Sequence, residues 1–116
     1  MNYNYDPLLL QSSDHPNLQL VNTKLNGANF QPWSRSIQVA LNTGYKLGFI
    51  DNSYPRPDPD SLNLLQWIRC DNLMVSWLLN SIVPKLPDAF LYTNSTNELR
   101  QELCERFGQT SGLLLF

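Results

Sequence analysis

The chain is poor in the residues that build metal sites, disulfide frameworks and membrane spans. It has one histidine and two cysteines in 116 residues. A structural zinc site needs four well-placed ligands, and Cys70, Cys104 and His15 form no such set. Both cysteines therefore read as small buried hydrophobes of a reducing compartment. No stretch approaches the ~20 consecutive apolar residues of a membrane span. The opening "MNYNYDPLLLQSS" lacks the basic region of a secretory leader, so a cytoplasmic location is expected, with no membrane partner. Basic residues are also few: 8 Lys and Arg stand against 10 Asp and Glu, for a net charge of -2. Phosphate neutralisation dominates nucleic-acid affinity, so a broad basic face is not expected. Nucleophile elbow, H-E-x-x-H, P-loop and G-x-G-x-x-G are all missing. Catalysis, a cofactor and a small-molecule substrate are not expected.

What is present is a mainly α pattern of about four helices, preceded by an extended segment and interrupted by a Pro-rich connector. A chain of this length suits one small domain. Residues 1–17 are polar and turn-rich and read as a flexible segment with an apolar anchor at Leu8, Leu9 and Leu10. Leu18, Leu20 and Leu25 alternate in part, which suggests an extended run or short β-hairpin. Asn26-Gly27 is a turn signal.

The first helix follows. Asn29 is expected to cap it, and Pro32 falls in its first turn, where a missing N–H costs little. Phe30, Trp33, Ile37, Ala40 and Leu41 share one face, while Ser34, Arg35, Gln38 and Asn42 fall on the other, and Gly44 supplies the stop. The aromatic pair thus shares a stripe with aliphatics and reads as core. A connecting loop with an anchor at Leu47, Phe49 and Ile50 leads into "YPRPDPDS". Its Pro55, Pro57 and Pro59 make either a rigid connector or a ligand for a partner domain.

The longest helix is expected from about Ser61 to Ile82, capped by Asp58 or Asp60 and ended by Pro84. Leu64, Trp67, Ile68, Met74, Val75, Leu78 and Ile82 make its face, widened by Leu73, Trp77 and Leu79. Asn72, Ser76 and Asn80 leave a polar strip. A short helical turn is read around Ala89 to Tyr92. Ser95 and Glu98 then form a capping box, and "NST" at Asn94 reads as this helix start and not as a glycosylation site. The last helix points Leu99, Leu103 and Phe107 inward and ends at Gly108. Leu113, Leu114, Leu115 and Phe116 close the sequence as an apolar cluster suited to self-association.

Four words, in order, carry a family resemblance: "LNGANFQPWSRSI", "KLGFIDNS", "WIRCDNLMVSWLLNSI" and "LCERFGQ". Together they resemble the N-terminal domain of plant copia-type retrotransposon Gag polyproteins over most of the chain, from about Asp6 to Phe116. The resemblance implies an α-helical, non-catalytic domain over residues 18–116, truncated at its C-terminal end. It would help build a capsid-like particle by contacts with itself and with other Gag regions, and would meet RNA only through those regions. Where the family usually carries a Trp in the last helix, this chain has Arg100. On the residues alone two alternatives stay open. One is a nucleic-acid-binding module using Trp33 with Arg35 and Trp67 with Arg69. The other is an adaptor that binds through the Pro-rich loop.

Overall fold

The computed structural model describes residues 6, 8–10, 14–43, 46–84 and 93–108. Four helices follow in order: α1 (Phe30–Thr43), α2 (Leu47–Asp51), α3 (Leu64–Asn80) and α4 (Thr96–Phe107). The mainly α expectation holds. The expected hairpin does not: no strand forms among the described residues, and Leu25 makes only an isolated parallel bridge to Ile82. Leu25 N–H donates to Ser81 O (2.9 Å) and Val83 N–H donates to Leu25 O (2.9 Å). Three alternating leucines find no partner strand, and two of them, Leu18 and Leu20, instead pack half-buried against the core.

Residues 26–29 form the turn that launches α1. Gly27 takes φ 97°, a conformation that other residues reach only at a steric cost. The Phe107 ring lies 3.7 Å from where a Cβ would stand on Gly27, so α4 ends against this turn. Asn29 does not cap α1 as expected. Its Oδ1 accepts Asn26 N–H (2.9 Å) and its amide donates to Lys24 O (3.0 Å). The physical reason lies in Pro32, which occupies the third helical position and has no N–H to offer. The Asn29 main-chain carbonyl still accepts the first helical bond, from Trp33 N–H.

α1 buries Phe30, Trp33, Ser34, Ile37 and Leu41. Ser34 was expected on the outer face, yet it sits four residues after Phe30 and three before Ile37, inside the stripe. Its hydroxyl has no hydrogen-bond partner. Gly44, the expected stop, lies outside the described residues. The supposed loop anchor is a helical turn: α2 buries Phe49 and Ile50 and ends at Asn52 in the left-handed region.

α3 starts three residues later than expected. Asn63 precedes it with no side-chain cap, and neither Asp58 nor Asp60 caps it. Asp58 instead accepts Ser61 N–H through its main-chain oxygen (2.9 Å), in a turn that precedes the helix. The buried face of α3 is Trp67, Cys70, Asp71, Met74, Trp77 and Leu78. It is rotated from the expected face: Ile68 and Val75 are only half-buried, while Cys70 and Asp71 take core positions. α4 packs on α2 and α3 and buries Leu99, Leu103 and Cys104. The turn expected at Ala89 to Tyr92 lies outside the described residues.

Candidate functional site

The three tryptophans are buried, and each indole N–H donates to a main-chain carbonyl of a segment outside the helices. Trp33 Nε1 donates to Ser81 O (2.9 Å), Trp67 Nε1 to Tyr54 O (3.1 Å) and Trp77 Nε1 to His15 O (2.7 Å). A buried indole needs such a partner. Each ring thus fixes one irregular segment: the exit of α3, the Pro-rich connector and the N-terminal run. Phe49 adds ring contacts to Tyr54 (5.5 Å) and Trp67 (5.4 Å), and Phe30 lies 6.1 Å from Trp33.

Of the core residues picked out from the sequence, Phe30, Trp33, Ile37, Leu41, Trp67, Trp77, Leu78 and Leu103 are buried, and Phe107 is half-buried. Trp33 is 2% exposed and Trp67 5%, so neither ring offers a face to a base. Arg35 and Arg69 are exposed and donate to Gln38 (3.2 Å) and Gln66 (3.4 Å) on their own helices. The two Trp–Arg pairs do not converge into a stacking platform. Leu113, Leu114, Leu115 and Phe116 lie outside the described residues. Exposed apolar surface is instead found at Leu62 and Leu65, beside the Pro-rich connector, which are 101% and 76% exposed.

Two buried charges escape a reading of the sequence. Asp71 projects from α3 to the start of α4. Its Oδ1 accepts Thr96 N–H (3.1 Å), and Thr96 Oγ1 donates back to Asp71 O (3.1 Å). Burial pushes the Asp71 carboxyl above the usual range, against the opposing pull of these Thr96 bonds and of Arg56. Ser95 Oγ accepts Glu98 N–H (3.1 Å), as a cap should. Glu98 Oε1 reaches back one residue further than the box requires, to Asn94 N–H. Nothing local marks Asp71, since its partner is 25 residues away.

Lys46 is the second buried charge. Its Nζ donates to Leu9 O (2.8 Å), and burial holds its ammonium below the ordinary value despite the nearby Cys70, Asp14 and Asp6. Cys70 and Cys104 are free thiols, both pushed up by burial. No group of three His, Cys, Asp or Glu among the described residues is placed to hold a metal ion. No described helix is long and apolar enough to cross a membrane.

Among the described residues, all three tryptophan rings are thus turned into the core. Residues 11–58 match the family described as Gag-polypeptide of LTR copia-type, the family that the sequence words resemble. The match points to a retrotransposon Gag role. No curated protein and no solved structure matches the chain.

Proposed function

We propose that the chain is a non-catalytic, self-associating structural segment of a copia-type Gag, contributing to a capsid-like particle. The observation that carries this reading is the family match over residues 11–58. The inward use of all three indoles supports it against a nucleic-acid stacking role, because base stacking requires an open aromatic face. Its partners are further copies of itself and other Gag regions, with RNA contacted by those regions. The exposed Leu62 and Leu65 give the described surface an apolar contact point, and the Leu113 to Phe116 cluster gives a second in sequence. Scattered surface leucines are ordinary, but two so exposed within three residues, one in the turn before α3 and one in its first turn, make a local apolar patch suited to a contact.

Light scattering across a concentration series tests the proposal. The wild-type mass should rise with concentration. Leu62→Ser with Leu65→Ser, or Ser at all four positions from Leu113 to Phe116, should lower that mass without changing the helical signal. A wild-type chain that stays monomeric at every concentration would refute self-association.

A further inference from the structure

The two ends of α3 carry unlike surfaces. At its start, Leu62 is 101% and Leu65 76% exposed. The charges there are acidic: Asp58 and Asp60 are exposed, and residues 58–65 contain no Lys or Arg. The nearest cations are drawn elsewhere. Arg56 acts on the buried Asp71, and Arg69 donates to Gln66 on its own helix (3.4 Å). At the far end of α3, Ser81 O accepts the Trp33 indole N–H (2.9 Å). An open groove of about 410 Å³ lies beside Trp33, between residues 21–23 and the side of α1 that carries Pro32 and Ser36. Val21, Pro32 and Trp33 line its apolar part, and Thr23 and Ser36 add uncharged polar groups. The charges on this side are basic: from Asn17 to Thr43 the chain has Lys24 and Arg35, both exposed, and no acidic residue.

Distance and charge decide what can occupy the groove. Along α3 the rise from Leu65 to Ser81 is ~24 Å, so the exposed leucines of a folded chain do not reach the groove of that same chain. The groove has the size of a ligand pocket, a class of roughly 300–1,000 Å³ that is part apolar with a few polar groups. Its cationic flank and the acidic surroundings of Leu62 and Leu65 are complementary in sign, and such complementarity steers an encounter and fixes its register. A patch that fits a pocket elsewhere on an identical molecule makes a head-to-tail contact, which repeats from copy to copy.

We infer that the α1 groove takes Leu62 and Leu65 of a second copy of this chain, with Asp58 and Asp60 of that copy set against Lys24 and Arg35. This rests on the self-association reading above and gives the exposed leucines their counterpart: each copy offers a projection at one end of α3 and a receptor at the other.

Two variants of the full chain separate the halves of the contact. Leu62→Ser/Leu65→Ser removes the projection and keeps the groove. Ser36→Glu fills the groove, sets a like charge against Asp58 and Asp60, and keeps the projection. Light scattering follows each alone and an equal mixture, at concentrations where the wild type associates. Each variant alone should stay monomeric, and the mixture should reach about twice the monomer mass and stop there, because only one productive pairing remains. A Ser36→Glu chain that associates like the wild type overturns the groove contact and leaves self-association standing. A mixture that stays monomeric overturns the pairing as well. A wild-type chain monomeric at every concentration overturns self-association and this contact with it. All three replaced side chains are exposed; should a variant still fail to fold by circular dichroism, charge reversal replaces it. Asp58→Lys/Asp60→Lys and Lys24→Glu/Arg35→Glu should each weaken association alone and restore it when mixed, and no restoration overturns the contact.

Discussion

α3 and α4 lie against each other and are stabilised in opposite ways. α3 has no side-chain cap at its start. It contributes six residues to the buried face and uses its polar side chains to hold other segments, through Trp67, Trp77, Gln66 and Asn80. α4 is a polar helix whose start receives help: Ser95 Oγ and the Asp71 carboxylate each accept a main-chain N–H of its first turn, and Glu98 Oε1 accepts Asn94 N–H just before it. The first turn of any helix carries four unsatisfied donors. A helix with a broad apolar face can leave some of them to water, because burial supplies its stability. A short, charged helix gains more from each bond at its end.

The contrast can be broken most severely through the core. Trp33→Ala removes a buried ring and leaves Ser81 O with one donor fewer, and should cost roughly 3–5 kcal/mol, read from the denaturant midpoint. A loss below about 1 kcal/mol would show that the ring is not core.

Asp71 tests whether α4 depends on α3 for its start. Asp71→Ala should cost about 1–3 kcal/mol, since Thr96 N–H is left buried and unpaired. Asp71→Asn keeps an acceptor oxygen without the charge and should be nearly neutral or stabilising at pH 7. The carboxyl is raised in the folded state, so the protonated acid is the form the fold favours. Its contribution is fully present below the ordinary carboxylate pKa and is lost as pH rises through the folded value. The wild type should therefore lose stability relative to Asp71→Asn as pH rises above about 4. Parallel stability–pH curves for the two chains would show that this carboxyl is not the source.

Ser95→Ala should cost about 1 kcal/mol and Ser95→Asp a few tenths, both from thermal melts. Equal losses would mean that a specific hydroxyl contact, and not capping, holds the position. An effect of opposite sign is expected at Ser34, the buried polar group that lacks what the α4 groups have. Ser34→Ala removes an unsatisfied hydroxyl and improves helix propensity, and should gain roughly 0.5 kcal/mol. A clear loss would reveal a hydrogen bond at that hydroxyl.

These residues also mark what a sequence can disclose. The Ser95–Glu98 cap was legible because both partners lie within one turn. The α1 stripe was legible because Phe30, Trp33, Ile37 and Leu41 repeat at helical spacing. Asn29 misled because its oxygen had a nearer donor in the preceding turn and Pro32 removed one of its helical donors. Asp71 was silent because a carboxylate in an apolar helix declares itself only through Thr96, which tertiary packing brings to it. The hydrogen-bond roles of the tryptophans were hidden likewise. Each burial could be read from spacing, but the carbonyl it seeks lies in a segment with no pattern of its own.

The Leu25–Ile82 bridge bears on how fast the domain can form. Helical proteins usually fold quickly because their contacts are local. Here α1 is tied down by Leu25 and Trp33 at Ser81, and Trp77 closes on His15. Such pairings must pay for closing a long loop before they return anything. On a ribosome adding ~5–20 residues per second, the stretch from Leu25 to Ile82 takes roughly 3–11 seconds to make. During that interval α1 exists without its anchor, its apolar stripe open to any neighbouring nascent chain of the same kind.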